Sequence, residues 1–261
     1  MNKPVFRWTV GSCGPNSLDL LEESVHRLRL IYKEIFQYFI YYNGVTDDER
    51  NRIEKISQQH GIRPVKQDWK WCPIDNNEKF ATPRNEQGDL QPDGKYCGGT
   101  LWKVCPARAN MGVHEIVMDN DIIFRKPLPQ INKFLSSRRF GLQLQEPIRF
   151  YGRYDSYLPE GPPYLNSGFF GLPPGYDFGS EIHKTWKRLD AHEELTHADE
   201  QGLLMRTLLD IPTIKVAPND IVEYLAADYQ AKPFHGYAYH FAQANRLTNH
   251  YWWNKYKKKL K

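Results

Sequence analysis

The feature that most constrains how this chain can fold is the alternation of its hydrophobic period over residues 5 to 66. Val5 to Val10 reads as a buried strand, Leu18, Leu21, Val25, Leu28 and Tyr32 then recur at helical spacing, and Phe36 to Tyr42 is again a dense aromatic and aliphatic run. Asn16 and Ser17 stand where the first helix needs an N-cap, and Asn43-Gly44 supplies a turn after the second strand. Thr46 and Glu49 have the spacing of a capping box, Gly61 stops the helix that follows, and Ile62 to Lys66 is a third strand. Strand, helix, strand in this order demands parallel pairing, because each helix must carry the chain back across the sheet before the next strand begins.

Residues 67 to 99 break the pattern. They hold no periodic apolar signal and are crowded with Pro, Gly, Asn and Asp, which makes a long loop, read either as a lid or acceptor-side insertion or as a surface excursion. Thr100 to Asn110 has a helical pattern and Val113 to Met118 returns to strand. Short strands follow at Gly141 to Leu144, Ser167 to Leu172 and Thr213 to Val216, with helices near 180 to 190 and 199 to 209. The expected fold class is α/β, a single Rossmann-like domain over residues 1–250 with a central mixed, mostly parallel sheet flanked by helices. Residues 251–261 form a basic aromatic tail.

Composition narrows the function classes. The formal net charge is +4, but YWWNKYKKKLK at 251–261 carries five lysines and no acid, which leaves the preceding 250 residues at −1. A nucleic-acid groove needs basic residues spread over a face, so no nucleic-acid partner is expected. No run of 18 apolar residues occurs and the first ten residues lack the features of a secretory signal, so the expected location is cytoplasmic. Cys13, Cys72, Cys97 and Cys105 contain no C-x-x-C pair and read as reduced thiols.

The chemistry is concentrated in VMDNDIIF, residues 117 to 124, where two aspartates interrupt an apolar run. On an extended chain Asp119 and Asp121 point the same way. Two carboxylates on one face repel and lose hydration on burial, so they persist together only if a cation or donors compensate. Hard divalent cations typically take one or two carboxylates plus substrate phosphates, so a D-x-D at a strand end suits a metal-bound diphosphate, with Mn²⁺ or Mg²⁺ as the expected ion. An exposed turn is the plain alternative, and the apolar flanks argue against it. A calcium loop is excluded because the third acid and the glycine are missing. HEELTH, from His192, spaces its histidines five apart and is no zinc-protease helix, and GDLQPDGKY, from Gly88, fails as a phosphate loop.

With those residues in hand, the chain resembles the GT-A glycosyltransferases, most closely the retaining family that includes glycogenin and the bacterial lipopolysaccharide galactosyl- and glucosyltransferases. The resemblance covers most of residues 5 to 246 as ordered short motifs. It implies that Thr9, Val10, Gly11 and Ser12 receive the nucleotide, that Lys103 and Arg108 face donor phosphate or sugar, and that Asp119, Asn120 and Asp121 form the metal motif. It implies further that Asn166 of LNSGFFGL and Glu200-Gln201 of HADEQGLL lie near the reactive carbon of the donor sugar. In YHFAQANRL, His240 would be the third metal ligand and Arg246 a clamp on the leaving diphosphate. The family's glycine in that last motif is Gln243 here, and its first-loop aromatic is replaced around Gly14-Pro15. His235 competes with His240, and Asp199 and Glu200 would equally suit the positive end of a helix.

The resemblance implies a metal-dependent hexosyltransferase that uses a nucleotide sugar, UDP-linked by expectation, with a saccharide or lipid-linked saccharide acceptor and retention of configuration. A non-catalytic nucleotide- or sugar-binding module on the same fold is the alternative, with a sugar-nucleotide nucleotidyltransferase behind it. The aromatic run from Phe150 to Tyr164 is expected to stack acceptor sugars. The lysines and tryptophans of the tail suit peripheral contact with an anionic membrane, or else a solvated terminus.

Overall fold

In the computed structural model the described residues are 3–11, 14–42, 45–66, 108–146, 149, 151–161, 164–188, 197–225, 234–242, 244 and 247–260. The long loop at 67–99, the four cysteines, Ser12, Lys103, Gln243 and Arg246 lie outside them, as does most of the helix expected over 100–110; its last residues, 108–110, are not helical.

The strands and helices expected over residues 5 to 66 form as expected, while the Asn43-Gly44 turn lies outside the described residues. Strand β1 is Val5–Val10, helix α1 Ser17–Tyr32, β2 Gln37–Tyr42, α2 Asp47–His60 and β3 Arg63–Lys66. β1, β2 and β3 pair in parallel, Trp8 opposite Ile40 and Tyr41 opposite Val65. Helix α2 carries both halves of its capping box: the Glu49 amide donates to Thr46 Oγ1 at 3.3 Å and the Thr46 amide to Glu49 Oε2 at 2.8 Å. Gly61 ends the helix at φ 62°, a left-handed conformation that glycine adopts without steric cost. Asn16 occupies the N-cap of α1 but its side chain makes no cap bond. Its amide instead donates to the carbonyls of Ala244 and Leu247, 3.0 and 2.6 Å away, which ties the start of α1 to the far end of the chain.

Strand β4, Glu115–Met118, then joins β1 from the other side, Trp8 opposite Met118. After β5 (Ile122–Phe124) and α3 (Pro129–Leu135), β6 (Gly141–Glu146) and β7 (Tyr164–Leu172) extend the large sheet. Helices α4 (Phe178–Lys187) and α5 (His197–Leu208), strands β8 (Thr213–Val216), β9 (Ile221–Glu223) and β10 (Ala238–His240), and helix α6 (Tyr251–Leu260) complete the order. The seven-stranded sheet runs β3-β2-β1-β4-β7-β6-β8, parallel at every pairing except the two that β7 makes. β5, β10 and β9 form a separate three-stranded sheet.

Two apolar layers sandwich the large sheet. Leu21, Val25, Leu28, Ile53 and Phe134, from α1, α2 and α3, pack with Phe6, Trp8, Ile40 and Met118 on one face. Phe178, Ile182, Leu203 and Leu208, from α4 and α5, cover Val117, Phe170 and Leu172 on the other. The tail is not a separate appendage. Residues 251–260 form α6, whose Trp252, Trp253 and Tyr256 are buried against Leu20, Ile123, Tyr224 and Phe241. Positions 252, 253 and 256 share one face of a helix, so the aromatic residues serve the core and the lysines fall outside it.

Candidate metal centre

The sheet changes direction between β1 and β4: successive strands run outward from β1 to β3 on one side, and the chain returns to pair β4 on the other. Such a switch point opens a crevice beyond the carboxyl ends of the two strands, the usual ligand position in open α/β sheets. Thr9, Val10 and Gly11 end β1 there and Asp119 follows β4 there, because Trp8 and Met118 are register partners. All of Thr9 to Gly11 is buried, and Thr9 Oγ1 has no hydrogen-bond partner among the described residues.

Asp119 and Asp121 do not sit on one extended strand, contrary to the expectation from VMDNDIIF. β4 ends at Met118, β5 begins at Ile122 in the other sheet, and Asp119-Asn120-Asp121 is the turn between them, closed by the Ile122 amide donating to Asp119 O at 3.3 Å. The apolar flanks belong to two strands rather than one. The turn is held from several directions. Asp119 N donates to Gly168 O at 2.8 Å and Phe241 N to Asp121 O at 2.9 Å. Asn120 Nδ2 donates to Ser17 O and Oγ at 3.0 and 2.7 Å, so the Asn120 side chain anchors the turn to α1 rather than facing a donor. Ser24 Oγ accepts from Trp8 Nε1 at 3.0 Å and donates to Ile122 O at 2.7 Å, linking β1, α1 and β5.

His240 arrives by antiparallel pairing of β10 with β5, opposite Ile122. Asp119, Asp121 and His240 thereby each offer a ligand atom within 4.8 Å of the others. His235, the competing histidine, is exposed and outside this group. His240 Nε2 lies 3.4 Å from Asp121 Oδ1, and Nδ1 lies 3.6 Å from Glu223 Oε1. Burial alone would push the imidazole pKa down; the facing carboxylate of Asp121, then Glu223 and Asp119, raise it to about 9.

The residues fit a divalent ion. Asp121 Oδ1 is buried and makes no hydrogen bond to any described residue, an expense that a native interior seldom leaves uncompensated. One imidazole and two carboxylates form a donor set that accepts Mn²⁺ as readily as Mg²⁺.

The Asn-x-Gly stretch is built into the same corner. Asn166 Oδ1 accepts from Gly168 N at 2.7 Å and Asn166 Nδ2 donates to Glu146 Oε2. A Cβ on Gly168 would lie 2.8 Å from Asn166 Oδ1 and 2.9 Å from Asp119 Oδ2, so only glycine leaves both side chains where they are. One residue along β7, Ser167 Oγ donates to Glu200 Oε2 at 3.0 Å and Ser167 N to Gln201 Oε1 at 3.2 Å. Asp199 and Glu200 lie in the first turn of α5, both buried. The structure therefore joins Asn166 to the metal turn through Gly168, and ties Glu200 and Gln201 to the residue between them.

Arg108 is placed elsewhere. Its guanidinium is buried and donates to the carbonyls of Val113, Leu172, Pro173 and Tyr176, with Glu115 Oε2 3.8 Å from Nε. These partners cluster at the start of β4, about 13 Å of strand from Asp119. Five donors in a planar fork suit a cluster of carbonyls as well as they suit a phosphate, and sequence order alone could not separate the two. Of the expected aromatic platform, Tyr151 and Tyr154 are buried, Tyr164 is half-buried and Tyr157 is exposed, and Phe150 lies outside the described residues. Two acids missed in the sequence belong to the site. Glu146, whose carboxyl burial pushes up, ends β6 beside Asn166, and Glu223 on β9 faces His240. Their only signal is an acid at the end of a short apolar strand.

No family model matches the chain, and no curated protein does. Its fold is that of the GT-A glycosyltransferases. Galactosyltransferase LgtC in complex with donor and acceptor sugar analogs superposes with a TM-score of 0.60 at 10% identity, over 98% of this chain and 94% of that one. Mouse xyloside xylosyltransferase 1 in its apo form matches at TM-score 0.55 and 11% identity, over 95% of this chain and 100% of its own. The apo glycosyltransferase GlyE of Streptococcus pneumoniae matches at 0.53 and 11%, over 100% of this chain and 64% of its own. Identities this low establish likeness of fold. Among the described residues no helix is long and apolar enough to cross a membrane.

Proposed function

We propose that this chain is a metal-dependent glycosyltransferase that moves a hexose from a nucleotide sugar to a saccharide acceptor. The observation that carries the reading is the convergence of Asp119, Asp121 and His240 at the switch point of the sheet. Asp119, Asp121 and His240 would hold the ion, which supplies positive charge to the diphosphate of the donor. The backbone of Thr9, Val10, Gly11 and Ser12 would receive the nucleotide, and Lys103 and Arg246 the phosphates. Asn166, held by Glu146, and Gln201 with Glu200, held by Ser167, would flank the reactive carbon of the sugar.

The leaving nucleotide gains negative charge as the glycosidic bond breaks, so fixed charges aimed at its oxygens bind the transition state more tightly than the ground state. Loss of one such contact typically costs about 3 to 4 kcal/mol, roughly a hundred- to a thousandfold in rate. Mn²⁺, a UDP-linked donor and retention complete the reading, and the solved complex of LgtC with donor and acceptor sugar analogs supports a sugar acceptor on this fold. A lipid-linked acceptor would bring the exposed lysines of α6, such as Lys258 and Lys259, toward an anionic membrane.

The test is nucleotide release from a panel of nucleotide hexoses with Mn²⁺ and no acceptor. Wild-type protein should hydrolyse one donor slowly, chelation should stop it, and Asp121→Ala should lower it at least about a hundredfold. Binding of a nucleotide sugar without release would favour the non-catalytic module instead. Failure to bind or cleave any donor in the presence of Mn²⁺ would refute the proposal.

A further inference from the structure

The His240 imidazole lies between carboxylates on both of its nitrogens. Nε2 faces Asp121 at 3.4 Å, with Asp119 in the same group, and Nδ1 faces Glu223 at 3.6 Å. The two sides are not equivalent. Asp119 and Asp121 supply the two carboxylates of the metal group, whereas Glu223 stands outside it, on β9, as the register partner of His240 in the parallel β9–β10 pair. A neutral imidazole has one proton. With that proton on Nε2, it would point into the space between the aspartates and block the lone pair an ion needs. With the proton on Nδ1, the lone pair is aimed at the ion. Nδ1 is buried with no hydrogen bond among the described residues, while the Glu223 side chain is 32% exposed and free to close the 3.6 Å separation.

We propose that Glu223 is the positioning residue of the metal centre: its carboxylate accepts the Nδ1–H of His240, fixes the tautomer, and holds Nε2 toward Asp119 and Asp121. Partners of this kind orient metal-bound histidines in many proteins, and their removal typically weakens metal binding about 10- to 100-fold. The inference rests on the metal reading above, and the experiment separates the two. Free Mn²⁺ is followed by electron paramagnetic resonance as the full chain is titrated, for wild type, Glu223→Gln and Glu223→Ala. A glutamine side chain keeps an oxygen that accepts from Nδ1–H, so the Glu223→Gln variant should bind Mn²⁺ within about threefold of wild type while the Glu223→Ala variant weakens about 10- to 100-fold. Glu223→Met, similar in size and a poor acceptor, replaces the alanine variant should that one not fold. Equal Mn²⁺ affinity in wild type and Glu223→Ala would overturn the role of Glu223 alone. Equal loss in the glutamine and alanine variants would also overturn it, since acceptance of the proton would then not matter. Wild-type protein that takes up no Mn²⁺ would overturn the metal centre itself.

Discussion

Gly168→Ala is the sharpest perturbation the structure offers, because it adds a single methyl group between two site residues without replacing any candidate ligand. Gly168 lies in β7 and is not among the glycines with positive φ, so alanine meets no backbone penalty and only space is at stake. The new Cβ would lie 2.8 Å from Asn166 Oδ1 and 2.9 Å from Asp119 Oδ2, whereas ordinary contacts of this kind are 3.4 Å or longer. Each oxygen must retreat by about half an ångström or more, and overpacking of this size typically costs about 1 to 3 kcal/mol. Metal sites tolerate about 0.2 Å of misplacement in a ligand, so Asp119 would leave coordinating distance. The expected outcome is Mn²⁺ binding weakened about 10- to 100-fold, equivalent to about 1.4 to 2.7 kcal/mol. The assay pairs a Mn²⁺ titration with thermal melting of the metal-free protein, which should fall by several degrees. A folded variant that binds Mn²⁺ as tightly as wild type would refute the placement of Asp119 as a ligand.

Three further outcomes follow from the packing and the charges. Arg7 Nε and Glu115 Oε1 lie 2.7 Å apart with both side chains fully buried, and Arg108 shares the same acid. Glu115→Gln leaves two buried guanidinium charges without their shared carboxylate and should cost about 3 to 5 kcal/mol in urea denaturation; a loss under about 1 kcal/mol would contradict this. Trp252→Ala should cost about 3 to 5 kcal/mol in the same assay, where a tail outside the core would cost nothing. His240 is the pH-sensitive member of the site. Its pKa is raised from 6.5 to about 9, so its contribution to metal-free stability is complete below pH 6.5 and is lost as pH rises toward 9. An ion must displace that proton, so Mn²⁺ affinity measured by titration should climb about tenfold per pH unit over the same window, and a flat profile would exclude His240 as ligand.

The first three strands and two helices were legible because their signals are local: periodicity, a capping box and a helix-ending glycine all act within a few residues. The aspartates were legible as a pair, since acids amid apolar residues carry an energetic penalty that needs explanation. Their geometry was not, because a turn between two sheets and one continuous strand read alike when both flanks are buried. Arg108 was misplaced because motif order fixes a residue along the chain and not at one end of a strand or the other. Glu146 and Glu223 were missed because they reach the site only through strand pairings, β6 with β7 and β9 with β10, that no local pattern encodes. In the tail the signal existed: 252, 253 and 256 are one helical stripe, and counting lysines hid it.

The candidate ligands come from both β-sheets: Asp119 closes a strand of the large one, His240 ends a strand of the small one, and Asp121 lies at the joint. An ion there would act as a rivet between layers otherwise joined in this corner by a three-residue turn and a few hydrogen bonds. Amide hydrogens of β5, β9 and β10 should therefore exchange more slowly when Mn²⁺ is added, with little change in β2 and β3. Loading would be readable as mechanical stiffening far from any sugar.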